Sequence, residues 1–120
     1  YQSSKSILGI CLGHQAIAEF YGAKLYNLDT PLHAYKSKIT HLDNCYLFKN
    51  LDLNFDVGHY HSWAVLPTSL NEKLEQTSYN NDGIIMSLKH IKYDVRGIQF
   101  HPESILSEYG LNIIKNWLSN

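Results

Sequence analysis

The pentapeptide Gly9-Ile10-Cys11-Leu12-Gly13 constrains this chain more than any other stretch. It ends a short apolar run, Ser6-Ile7-Leu8-Gly9-Ile10, of the kind that forms a buried strand. Apolar residues then recur at Ala16, Ile17 and Phe20, a helical spacing closed by Gly22 as a C-cap signal. A cysteine flanked by glycines between a strand and a helix has the form of a nucleophile elbow. Such a turn is strained, and a Cβ at either glycine is expected to crowd the backbone. At the helix N-terminus the dipole is expected to favour thiolate over thiol. Backbone N–H groups there, that of Leu12 among them, can face a developing oxyanion. G-x-C-x-G by itself fits a buried structural cysteine about as well. The extension to His14-Gln15 shifts the balance, because a polar pair on the first helical turn has no evident core role but sits beside the thiol.

The other elements read more weakly. Lys24–Tyr26 and Lys38–Leu42 read as short strands, with Asp29-Thr30-Pro31 and Asn50–Asn54 as loops. Phe55–Tyr60 and Ala64–Leu66 flank a polar turn at His61-Ser62. Asn80-Asn81-Asp82-Gly83 is a strong turn signal before a strand at Ile84–Leu88. Val95–Phe100 is a further strand, and Leu111, Ile114, Trp117 and Leu118 share one face of a C-terminal helix. This order points to an α/β layer fold in one domain, with further parallel strands expected upstream of Tyr1. The absence of an initiator Met fits a chain that begins inside a longer protein, and the first residues lack the apolar segment of a signal peptide.

Formal net charge is −1 with no basic run, which argues against a nucleic-acid or anionic-membrane surface. No apolar stretch is long enough to cross a bilayer. Two cysteines in unlike settings argue against a disulfide framework and fit a reducing cytoplasm. Cys45 reads as a core or half-buried residue, and His90 as part of a surface turn.

A cysteine nucleophile needs a histidine to take and return a proton, and often a carboxylate to orient that histidine. Gln99-Phe100-His101-Pro102-Glu103-Ser104 supplies both. Pro102 stops the strand, and His101 and Glu103, two positions apart on an extended segment, can face the same side. An isolated H-x-E is common in surface loops, so this segment gains weight only from its pairing with the elbow.

Together, Gly9–Gln15 and Gln99–Ser104 resemble the class I (triad) glutamine amidotransferases, and the resemblance runs from Ile7 to Leu118. It implies a flavodoxin-like α/β sheet with the cysteine at its carboxyl edge. Residues 1–120 would be the C-terminal portion of that domain. Its N-terminal strands, and a glycine-rich loop holding the other half of the oxyanion hole, would lie before Tyr1. By matching positions, Cys11 is the nucleophile, His101 the general base and acid, and Glu103 its orienter. Gln15 holds the glutamine substrate, and the Leu12 N–H is half of the oxyanion hole.

Gly58-His59-Tyr60-His61-Ser62-Trp63 resembles the Arg-Tyr-His-Ser-Leu segment of amidotransferases that serve chorismate enzymes, which makes His61 and Ser62 substrate-binding candidates. Residues 33–41 resemble the His-Gly-Lys-Thr-Ser-Pro-Ile-His-His stretch of the same subfamily, the subunits of anthranilate synthase and aminodeoxychorismate synthase. His59, Ala34 and Tyr35 depart from its usual Arg, Gly and Lys. The implied activity is glutamine hydrolysis that feeds ammonia to a chorismate-binding synthase subunit, with no cofactor and no metal. A γ-glutamyl hydrolase-like cysteine hydrolase is a rival, opposed by Gln15 and Tyr60-His61-Ser62. A metal site on His59, His61 and His101 is another, weakened by the lack of a nearby carboxylate in the same motif. A subunit that only binds its partner is a third, opposed by the intact Cys11, His101 and Glu103.

Overall fold

The computed structural model describes residues 6–104 and 106–119, the side chains of 29–35 and 59–62 excepted. Strand β1 (Ile7–Ile10) leads through Cys11 into helix α1 (Leu12–Phe20). Strands β2 (Leu25–His41), β3 (Asn54–Val65), β4 (Leu74–Asn80), β5 (Ile85–His90) and β6 (Val95–Ile98) follow, and helix α2 (Gly110–Ser119) ends the chain. A 3₁₀ turn at Tyr46–Phe48 joins β2 to β3, and another at Pro67–Ser69 joins β3 to β4.

The strands form one sheet in the order β1-β6-β5-β4-β2-β3. β1 pairs with β6 in parallel, Ile10 opposite Ile98, and the other pairings are antiparallel. The sheet is buried on both faces at its centre. Consecutive residues of β5 show why: Ile85 joins a cluster with Ala18, Tyr21, Val65 and Val95, while Met86 joins Ile39, Phe55, Ile98, Phe100 and Ile113. α1 covers the first face. α2 and the Tyr46–Phe48 turn cover the second, tied together by Asn116 Nδ2, which donates to the carbonyls of Leu47 (2.8 Å) and Lys49 (3.2 Å).

The punctuation signals hold. Gly22 ends α1 at φ 94°, and its N–H donates to the Glu19 carbonyl. Asn80 Oδ1 accepts from the N–H groups of Asp82 and Ile84, with Gly83 at φ 77°. Several expectations need correction. The two strands expected at 24–26 and 38–42 are ends of one strand, β2, which absorbs the proline-containing stretch by slipping register between Asn27 and Leu32 and again between Leu32 and Tyr35. His61-Ser62 is no turn but lies inside β3, with His61 opposite Leu32. The buried face of α2 centres on Ile113 and half-buried Trp117, while Leu111 and Leu118 point to solvent. β4 has no counterpart in the sequence reading; its residues are mostly polar, so no apolar alternation marks it. His90 is buried, not a solvated turn residue: its Nδ1 accepts from the N–H groups of Lys92 and Tyr93, and its ring stacks on Tyr93.

Candidate active site

Cys11 sits at φ 55° and ψ −100°, a backbone conformation that non-glycine residues avoid. Its N–H donates to the Ile98 carbonyl at 2.8 Å, which fixes the elbow to the end of β6. Gly9 makes that turn possible: a Cβ there would lie 2.6 Å from the Gly13 carbonyl carbon and 2.6 Å from Ile17 Cδ1. The same expectation fails at Gly13, where a Cβ would meet nothing within 4 Å. The close approach is one-sided. Gly13 offers its backbone to Gly9, and its own Cβ direction opens outward.

The thiol is buried, and burial pushes its pKa above the ordinary cysteine value. The Leu12 backbone N–H and the Gln99 amide act the other way, and the Glu103 charge adds to the rise. The expected preference for thiolate at the helix N-terminus is therefore outweighed: desolvation of the charged form exceeds what the nearby donors return.

β6 runs beside β1 and ends at Ile98, so residues 99–101 emerge at the same carboxyl edge as Cys11. His101 N–H donates to the Gly58 carbonyl at 2.9 Å. The imidazole Nδ1 and Glu103 Oε2 are 2.8 Å apart. This contact is not made along an extended segment as expected. Ser104 N–H donates to the His101 carbonyl at 3.2 Å, so the chain turns tightly and brings the carboxylate back to the ring. Two glycines hold that turn by close approach. A Cβ on Gly58 would lie 2.7 Å from Ser104 Oγ, and one on Gly110 would lie 1.8 Å from the Pro102 carbonyl oxygen.

Gln15 and Gln99 are both buried. Gln15 Nε2 donates to the Trp63 carbonyl at 2.9 Å and to Gln99 Oε1 at 3.3 Å, and Gln99 Nε2 lies 3.7 Å from Cys11 Sγ. His14, which the sequence left without a core role, is fully buried against β6, where a Cβ on Gly97 would meet its Nδ1 at 2.7 Å. A glycine inside a strand is the sequence signal for such an approach. The Gln99 contact had none beyond its place in the motif. Leu12, next to the thiol, is exposed. The side chains of His61 and Ser62 lie outside the described residues, as does that of His59. Among the described residues, no group of three or more His, Cys, Asp or Glu could hold a metal ion. Neither Cys11 nor Cys45 forms a disulfide.

Residues 1–120 match the family described as Glutamine amidotransferase class-I. The chain belongs to the class-I glutamine amidotransferase family. It is 41% identical over 113 residues to anthranilate synthase component 2 of Mycobacterium tuberculosis, covering 94% of this chain and 48% of that protein. It is 39% identical over 119 residues to aminodeoxychorismate synthase component 2 of Klebsiella aerogenes, covering 99% and 63%. A crystal structure from Thermoplasma acidophilum, of a protein described as belonging to GMP synthase, superposes with a TM-score of 0.86 at 25% identity, over 95% of this chain and 56% of that one. The fold is thus that of the class-I amidotransferases, flavodoxin-like, and this amidotransferase chain spans roughly half to two thirds of the length of these relatives. No helix among the described residues is long and apolar enough to cross a membrane.

Proposed function

We propose that this chain carries the glutamine-hydrolysing site of an amidotransferase that supplies ammonia to a chorismate-using synthase. The observation that carries the reading is the 2.8 Å His101–Glu103 contact one strand away from the Cys11 elbow. A thiol pushed up by burial is protonated at neutral pH, so it needs a base at the moment of attack. His101 takes the Cys11 proton as sulfur bonds to the amide carbon of glutamine. The oxyanion faces the Leu12 N–H. His101 returns the proton to the departing nitrogen, the C–N bond breaks, and ammonia leaves a γ-glutamyl thioester. Water, activated by His101, cleaves the C–S bond and releases glutamate. Glu103 orients the imidazole. Both N–H groups of Gln15 are committed to Trp63 and Gln99, so Gln15 would meet substrate through Oε1, an acceptor suited to an N–H of glutamine. His61 and Ser62 complete the pocket on the strength of the family resemblance.

The synthase is the partner of the anthranilate branch in this reading. The Mycobacterium tuberculosis relative bears that name, and the Klebsiella relative, at almost the same identity, is named for the aminodeoxychorismate branch. Co-purification of the intact protein with each chorismate-binding synthase, scored by product fluorescence with glutamine as nitrogen donor, separates the two. In the complex that forms product, Cys11→Ala is expected to abolish glutamine-dependent synthesis and to leave ammonia-dependent synthesis intact. Glutamine use retained by that variant refutes Cys11 as nucleophile.

A further inference from the structure

The mechanism above leaves one buried polar group beside the sulfur without a task. Gln99 is completely buried, at the carboxyl end of β6, and makes two side-chain contacts within the site. Which end of its amide faces the thiol follows from its neighbours. The Trp63 carbonyl can only accept, so the Gln15 atom 2.9 Å away is the NH₂ nitrogen. That nitrogen also reaches Gln99 at 3.3 Å, so the Gln99 atom there is the oxygen. The Gln99 NH₂ is left pointing at Cys11 Sγ, 3.7 Å away. A flipped amide would set two NH₂ groups against each other.

We propose that Gln99 is a side-chain donor that holds the Cys11 sulfur, and that it couples the sulfur's position through Gln15 to the Trp63 carbonyl on β3. The inference rests on Cys11 being the nucleophile. A donor aimed at sulfur stabilises developing thiolate more than thiol, so it acts against the burial of the group and the charge of Glu103. It also fixes where the sulfur sits, because an amide held at both ends cannot follow a rotating thiol. The Trp63 end of the chain adjoins Ser62 on β3. Displacement of that strand would therefore be felt at the sulfur.

The test is the pH dependence of Cys11 alkylation by iodoacetamide in the intact protein, read by mass spectrometry of the Cys11 peptide so that Cys45 is counted separately. Gln99→Glu keeps the shape and the Gln15 contact but faces the sulfur with an acceptor. Gln99→Leu removes both contacts. Each is expected to move the alkylation profile toward alkaline pH, Gln99→Glu by about one unit or more, about a tenfold slower reaction at fixed pH below the thiol pKa. Glutamine turnover should fall in kcat more than it changes KM. A profile that stays in place in folded variants, judged by circular dichroism, overturns the proposal, and either variant alone suffices if the other fails to fold. Failure here is separable from failure of the nucleophile assignment, since an unmoved alkylation profile together with inactive Cys11→Ala rejects only Gln99.

Discussion

At the residue scale the site is governed by opposing effects on one thiol. Burial and the Glu103 carboxylate favour the protonated form, while the Leu12 N–H and the Gln99 amide favour thiolate. The net rise has a measurable sign. Cys11 alkylation in the intact protein should keep accelerating with pH beyond the ordinary cysteine range, near about 8.5. Glu103→Gln separates two roles of that carboxylate. It removes a charge that disfavours thiolate, so alkylation at a fixed mildly alkaline pH should become slightly faster. The effect is small because the Glu103 side chain is 69% exposed and its charge is screened. It also removes the charged partner of His101, so glutamine turnover should drop by about 10²-fold or more. Alkylation and turnover falling together would contradict this account. Much at this scale was legible in the sequence: the elbow glycine at residue 9, the cysteine, and the His–Glu pair. The direction of the thiol shift was not, because it depends on burial of the sulfur, which the fold alone creates and which outweighs the Leu12 and Gln99 donors.

At the element scale, legibility follows the range of the interaction. α1 with its Gly22 cap and the Asn80–Gly83 turn each rest on contacts within a few residues, and both are found where local signals put them; β1 is marked by its apolar run, though its pairing is with the distant β6. β2 and β3 are long because they pair with each other over most of their length, a non-local gain that overrides Pro31 and the polar His61-Ser62 pair. α2 shows the same limit in a different form. Its apolar residues permit more than one buried face, and the choice is made by the Tyr46–Phe48 turn and Asn116. Ile113→Ala should therefore destabilise the protein by about 2–4 kcal/mol, and Leu118→Ala by less than about 0.5 kcal/mol, in denaturant midpoints. Equal effects would mean that α2 docks by another face.

At the scale of the whole molecule, the candidate site lies at the carboxyl ends of β1 and β6 in a sheet buried on both faces. There the sole parallel pair among the described strands, β1 with β6, sets the elbow beside residues 99–101. Order along the chain gives no hint that these segments, near opposite ends of it, are neighbours; the motif resemblance supplied it. Ile7, Ile17 and Phe20 line an apolar surface depression beside β1, which like β3 is an edge strand among those described. The central claim is that the candidate site forms a thioester with glutamine at Cys11. It is tested most directly by treating the intact protein with a glutamine analogue bearing an electrophilic diazoketone in place of the amide, then mapping the adduct by peptide mass spectrometry. The account predicts one adduct, on Cys11, suppressed by excess glutamine and absent from His101→Ala at neutral pH. An adduct on Cys45 or elsewhere, with Cys11 unmodified in protein that still hydrolyses glutamine, would contradict it.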